Sequence, residues 1–169
     1  MTISRRFLLL GGTATAALAG CGQKPATKFR SYQGLPVTSL VLQKAQRKLY
    51  LMHGASVIQG YDVEIGGNPV GHKVMEGDGR TPEGYYFISH HNPNSAYHLS
   101  IGISYPDTED VARARALGVS PGGNIMIHGT PREKARSNDW TAGCIAVPDR
   151  QMEDIYAMVA DGTPIAIYP

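Results

Sequence analysis

The chain has 169 residues, with 16 Lys and Arg against 14 Asp and Glu, for a formal charge of +2. So small an imbalance gives no clustered basic face and argues against a nucleic-acid partner. Only two cysteines are present, which excludes a disulfide framework, and the length suits one hydrophobic core and one folded domain.

The first predicted element is a signal peptide over residues 1–20. Arg5 and Arg6 form a charged start, and Phe7 to Gly20 is apolar but shorter than the ~20 residues a membrane span needs. Leu18-Ala19-Gly20-Cys21 resembles a bacterial lipobox, which implies cleavage before Cys21 and a lipid on that cysteine. Ser4-Arg5-Arg6-Phe7-Leu8 resembles a twin-arginine export motif with a shortened spacer. Together these imply an exported, lipid-anchored protein on the periplasmic face of the envelope. Gly22, where an Asp would favour inner-membrane retention, points to the outer membrane. The chain from Cys21 onward carries 14 basic and 14 acidic residues, so its formal charge is zero. Residues 21–36 read as the lipidated cysteine and a polar tether, and residues 37–169 as the folded domain.

Ser39 to Gln43 and Lys48 to Met52 read as a strand hairpin turning at 44–47. Val57 to Ile65 reads as a third strand, with Tyr61, Val63 and Ile65 alternating with Asp62 and Glu64. Gly66 to Gly84, rich in glycine and proline, reads as a long surface loop. Tyr85 to Ser89 and Tyr97 to Ile103 are two further strands. Asp107 to Leu117 is a short helix capped by Asp107 or Thr108. Asn124 to Ile127 is a short buried strand that ends at His128. Asp149 is expected to cap a second helix with the apolar stripe Met152, Ile155, Met158 and Val159, ended by Gly162, before a last strand from Pro164 to Tyr168. Strands dominate, so the expected fold is mainly β, a sandwich or half-barrel with one or two short helices.

Chemistry concentrates near the C-terminal end. With Cys21 assigned to a lipid, Cys144 is a lone cysteine behind a glycine, sixteen residues after His128 of Ile127-His128-Gly129-Thr130. A thiol is a poor nucleophile until an imidazole takes its proton. Cys144 is therefore the candidate nucleophile and His128 its base. The Gly143 and Cys144 N–H groups are candidate donors to a developing oxyanion. No Asp or Asn stands at an obvious orienting position, which leaves a backbone carbonyl to hold the His128 tautomer. Weighed against this are an inert buried cysteine, a histidine satisfied in the core, and a zinc site. The last lacks ligand spacing among His53, His72, His90, His91 and His98, since adjacent His90 and His91 point to opposite faces of a strand.

His128-Gly129, an intervening loop, and Thr141-Ala142-Gly143-Cys144-Ile145 resemble the signature of the L,D-transpeptidase catalytic domain family (YkuD type). Gly79-Arg80-Thr81-Pro82-Glu83-Gly84-Tyr85 is similar to that family's Thr-Pro-x-Gly element, and the likeness runs from Val37 to Pro169. The resemblance implies a β-rich sandwich, no cofactor and no metal. It implies that Cys144 attacks the meso-diaminopimelate carbonyl of a peptidoglycan stem tetrapeptide, releasing D-alanine and forming a thioester. An amine then resolves it, either a second stem, giving a 3→3 cross-link, or a lipoprotein lysine. It further implies that the Gly129 carbonyl orients His128. Ala142 and Ala146 stand where many members carry His and Arg or Asn. With Tyr97-His98-Leu99-Ser100-Ile101 and Ser104-Tyr105-Pro106-Asp107, these departures look more like the branch represented by YafK-type proteins.

Around the nucleophile, Trp140 and Thr141 are candidate walls of the substrate groove, and Arg132 or Arg136 candidate partners for a stem-peptide carboxylate. Tyr105 is a candidate third oxyanion donor and His98 a candidate lining residue. Three functions remain in view: a lipid-anchored transpeptidase, a hydrolase that resolves the same acyl-enzyme with water (an amidase or carboxypeptidase, for example one that detaches lipoprotein), and a non-catalytic wall-binding lipoprotein.

Overall fold

The computed structural model describes residues 27–130 and 139–169. The signal segment, Cys21, Arg132 and Arg136 lie outside the described residues. Residues 27–36 form neither helix nor strand, yet their start is docked on the domain. Lys28 Nζ donates to the carbonyls of Pro93 (2.6 Å) and His98 (3.0 Å), and Arg30 pairs with Glu153 (2.8 Å) and Asp154 (2.6 Å).

Eight strands and two helices follow in chain order: β1 Ser39–Gln43, β2 Lys48–His53, β3 Ser56–Asp62, β4 Gly84–Asn92, β5 Ser100–Ile103, α1 Thr108–Ala116, β6 Met126–Thr130, β7 Ile145–Pro148, α2 Asp149–Met158 and β8 Pro164–Tyr168. The strand order is β3-β2-β1-β8-β4-β5-β6-β7, with β1–β8 and β6–β7 parallel and the other pairs antiparallel. β4 turns the corner. Its first half, Gly84–Phe87, pairs with β8, and beyond a register shift at Ile88/His90 its second half pairs with β5. A bulge of this kind bends a strand and lets one sheet fold over on itself. The chain after β3 then crosses to the far edge, where Glu64 bridges Ala146 and Gly66 bridges Thr141. The expected mainly β architecture is the observed one.

Alternation explains which faces meet. Leu40 and Leu42, Leu49 and Leu51, and Ile165 and Ile167 are buried at every second position of β1, β2 and β8. β5 is buried at all four positions because α2 covers its other face through Met152 and Ile155. α1 begins with a capping box in which Asp107 accepts from the N–H groups of Glu109 and Asp110, while Asp110 accepts from the N–H of Asp107.

Several expectations are corrected here. Residues 145–148 form β7, a strand not among those expected. The strand expected from Tyr97 starts only at Ser100, since His98 sits at φ 67° and breaks the extended run. His128 lies inside β6 rather than at its end. Pro148 occupies the N-cap of α2 with no side-chain bond, and Asp149 is the first helical residue. α2 stops at Met158, and Gly162 (φ 84°) belongs to the turn before β8, where its N–H donates to Ile88.

The loop from Gly66 to Gly84 is more than surface. Lys44, 1% exposed, sends its ammonium into this loop, donating to the carbonyls of Gly71 (2.7 Å) and Thr81 (3.0 Å) and pairing with Glu83 (2.7 Å). Asp78 binds the other side of the same loop to the buried Lys73 at 2.9 Å. The loop is thereby fixed as a wall against the segment that carries Cys144.

Candidate active site

β6 and β7 bring the two reactive residues together. Their parallel register sets His128 opposite Ala146, and continuing it one residue earlier places Cys144 beside Met126. Alternation along strands puts positions 126 and 128, and 144 and 146, on a common side. His128 is buried, and its Nδ1 donates to the Gly129 carbonyl at 2.6 Å. A carbonyl only accepts, so Nδ1 carries the proton and the Nε2 lone pair of the neutral ring stays available as a base.

Two aromatic rings frame this imidazole. Tyr97 stacks on it at 4.5 Å between centroids, tilted by 30°, and Trp140 meets it edge-on at 5.8 Å. Trp140 in turn donates from Nε1 to the Glu64 carboxylate. Asp139 anchors the loop end through Arg47 and through the Ile65 N–H at 3.1 Å. Ala146, small and opposite His128, leaves a cavity of about 160 Å³ bounded by Glu64, Thr130 and Pro148.

Glycine is required at two positions. Gly143 sits at φ 132°, and a Cβ there would lie 2.5 Å from the Arg80 carbonyl. Gly129 follows His128 directly, and a side chain there would need space beside the base. That space is already taken, because a Cβ on Gly129 would lie 2.4 Å from Asp149 Oδ1 and 2.8 Å from the Tyr97 carbonyl.

Burial sets the resting charge state. It pushes the His128 imidazole below its ordinary value, against opposing contributions from the Gly129 carbonyl and Asp149. It pushes the Cys144 thiol up, opposed by the Met126 N–H and by Lys73. The thiol is half-buried and donates to the Asn124 carbonyl at 3.5 Å; among the described residues this, not His128, is its hydrogen-bond partner. The resting pair is therefore a neutral thiol and a neutral imidazole. Deprotonation must accompany attack, after the thiol rotates from Asn124 toward His128.

Two consequences can be measured. Alkylation of Cys144 by iodoacetamide at pH 7 should run no faster than that of an unactivated thiol and should rise with pH above the ordinary thiol range. Any reaction that uses His128 as base should instead lose rate only as pH falls through a midpoint below the ordinary imidazole value, where the ring becomes protonated. Fast alkylation persisting in mild acid would mean a preformed thiolate–imidazolium pair and would overturn this charge assignment.

The structure sorts the remaining sequence candidates. Trp140 lies at the site. Thr141 is buried and works within the loop: its hydroxyl donates to the Cys144 carbonyl (2.7 Å) and accepts from the Gly143 N–H (3.2 Å). One of the two expected oxyanion donors is thus engaged at rest, and its use requires that long bond to open. Tyr105 is a core residue. Its hydroxyl donates to the Pro121 carbonyl at 2.9 Å, and burial raises its pKa to about 12, so it is not an oxyanion donor in this arrangement. His98 faces α2 and pairs with Glu153 at 2.9 Å instead of lining the site. Tyr97, Glu64, Asn124 and the loop residues Lys73 and Arg80 were not foreseen. Only the buried cations inside a glycine-rich loop carried any signal in the sequence. Among the described residues no three His, Cys, Asp or Glu side chains converge as metal ligands.

Comparison with known proteins agrees with this geometry. The family model described as L,D-transpeptidase catalytic domain (YkuD) matches residues 37–167. The inferred L,D-transpeptidase YafK of Escherichia coli (strain K12) is 26% identical over 179 residues, spanning 96% of this chain and 68% of that protein. Among solved structures, the helical cell shape determining protein Pgp2 of Campylobacter jejuni superposes with a TM-score of 0.59 at 24% identity, covering 79% of this chain and 51% of that one. An L,D-transpeptidase from Mycobacterium smegmatis superposes at 0.54 with 12% identity, covering 79% and 59%. The chain spans between half and three-fifths of the length of these two solved relatives, and at such identities the likeness speaks for the fold.

Proposed function

We propose that this chain, which belongs to the YkuD family of L,D-transpeptidase catalytic domains, is a cysteine acyltransferase acting on peptidoglycan stem tetrapeptides. The observation that carries the proposal is the pairing of β6 with β7. It sets Cys144 and His128 on one side of neighbouring strands and leaves Nε2 free, because Nδ1 is bound to Gly129.

His128 Nε2 takes the thiol proton as Sγ attacks the diaminopimelate carbonyl. The Cys144 N–H, joined by that of Gly143 once it leaves Thr141, meets the developing oxyanion. The imidazolium then gives its proton to the departing amine of D-alanine, and a thioester remains. An amine acceptor, deprotonated by the same nitrogen, attacks the thioester and restores the thiol. The acceptor is a second stem peptide or a lipoprotein lysine. Export and lipid anchoring through Cys21 would place the enzyme at the periplasmic face of the envelope, where such substrates occur.

The test is the intact mass of purified protein incubated with disaccharide-tetrapeptide, with product analysis of the same sample. An adduct one D-alanine lighter than the donor, together with dimeric 3→3 product, is expected. An adduct yielding only tripeptide would replace transfer by hydrolysis, and neither adduct nor product would overturn the acyl-enzyme.

A further inference from the structure

The 66–84 loop and the chain after α1 enclose a second groove, of about 430 Å³, walled by Val74, Met75, Leu117 and Val119 with Asp78 and Arg80 as its charged lining. It borders the nucleophile's loop. The Arg80 carbonyl abuts Gly143, Glu76 abuts Gly122, and Lys73 acts electrostatically on the Cys144 thiol.

Within this groove the charges do not cancel. Asp78 is fully committed: it pairs with Lys73 at 2.9 Å and accepts from the N–H groups of Val74 (2.7 Å), Met75 (3.2 Å) and Arg80 (3.0 Å). Burial would raise its carboxyl, but Lys73 and these backbone donors hold it at about 2. The Arg80 guanidinium has no such partner. Nη1 makes one long bond, 3.5 Å, to the His72 carbonyl, and no carboxylate among the described residues pairs with it. Its Nε is buried without any hydrogen-bond partner. A buried, unsatisfied donor on a permanent cation is costly unless a ligand completes it.

We infer that Arg80 binds a substrate carboxylate, and that the groove it lines receives a short peptide bearing a free carboxylate and aliphatic side chains. The inference rests on the acyl-transfer reading for its substrate, though not for its chemistry. A guanidinium offers a planar fork of donors that matches a carboxylate, and four aliphatic or thioether side chains around it suit an alanine-like or methylene-rich neighbour. Sequence alone pointed to Arg132 or Arg136 for this task. Arg80 has no carboxylate partner among the described residues and a buried, unsatisfied Nε, and its backbone carbonyl adjoins Gly143. A stem tetrapeptide offers three carboxylates, at its terminal D-alanine, on the diaminopimelate side chain and on the α-carbon of its γ-linked D-glutamate.

The experiment compares the free tetrapeptide with three derivatives, amidated at the C-terminus, at the diaminopimelate side chain or at the D-glutamate α-carboxyl. Equilibrium binding is measured on the Cys144→Ser protein, and acylation rate on protein that retains the thiol. Amidation of the recognised carboxylate is expected to weaken binding roughly 10- to 100-fold, the range of a charge-assisted contact. In Arg80→Gln the free acid should bind as weakly as that amide, and the acid–amide difference should vanish. Arg80→Lys, which keeps the charge without the fork, should fall between. Whichever derivative loses affinity identifies the carboxylate. Undiminished discrimination in Arg80→Gln, or equal binding of the acid and all three amides by the Arg80-bearing protein, would overturn the assignment. Discrimination in binding without any acylation would leave Arg80 standing and refute the acyl-transfer reading.

Discussion

Replacing Cys144 by serine is expected to abolish thioester formation and to reduce turnover on the order of 10⁴-fold or more, as loss of a nucleophile does elsewhere. A hydroxyl next to a histidine can in principle attack an acyl group, but this site is not built to ionise one. Burial already lifts the pKa of the far more acidic thiol, and His128 is held below its ordinary basicity by the same burial. The proton-transfer gap for serine is therefore several orders of magnitude wider than for cysteine. The fold should not change, because the Cys144 side chain makes one weak 3.5 Å contact and its backbone is held by Thr141 and by β7. Unfolding midpoints should agree with those of the parent while intact mass shows no adduct. Turnover within tenfold of the parent would sink the covalent mechanism.

Lys44→Ala is expected to destabilise the domain by about 3 kcal/mol, read as a shift in urea midpoint at constant slope. The Lys44 side chain is 1% exposed, and its salt-bridged ammonium directly follows β1. Removing it strands the carbonyls of Gly71 and Thr81 and the Glu83 carboxylate, three acceptors with their single common donor gone. The consequence extends to the site, since these acceptors lie on the 66–84 loop, whose Arg80 carbonyl abuts Gly143. Substrate affinity should fall along with stability. Removing both members, as Lys44→Met with Glu83→Gln, should recover part of the loss, because a buried pair costs less to replace than to break. A loss below about 1 kcal/mol in the single variant would mean that the ion pair is not what holds this loop.

The reading of the sequence succeeded where the signal is local. Strand-forming runs between turns located the hairpin of β1 and β2 and the last strand, β8, and alternation at Tyr61, Val63 and Ile65 marked the buried residues at the end of β3 and just after it. Asp107, one of the two caps expected, is the N-cap of α1. That reading failed where a non-local contact decides. Ile145–Pro148 is too short and too uniform to reveal a strand, and becomes one because it lies along β6 and meets Glu64 on its other edge. Tyr97 reads as a strand residue, but the turn at His98 delivers its ring to His128. Asp149 reads as a cap and is instead packed against Gly129.

The same division holds for the chemistry. A lone cysteine behind a glycine, and a histidine before one, already mark a candidate nucleophile and a candidate base, because thiol and imidazole reactivity is intrinsic to those side chains. The sequence also carries the need for glycine at 143, although the Arg80 carbonyl that enforces it appears only in the folded chain. Charge state and partner choice belong to the tertiary structure alone. Desolvation depends on what surrounds a group, so no spacing rule shows that the thiol and imidazole rest neutral. Nor does one show that Thr141 holds the Gly143 N–H, that Tyr105 is spent on Pro121, or that the Arg80 Nε is buried without a hydrogen-bond partner among the described residues.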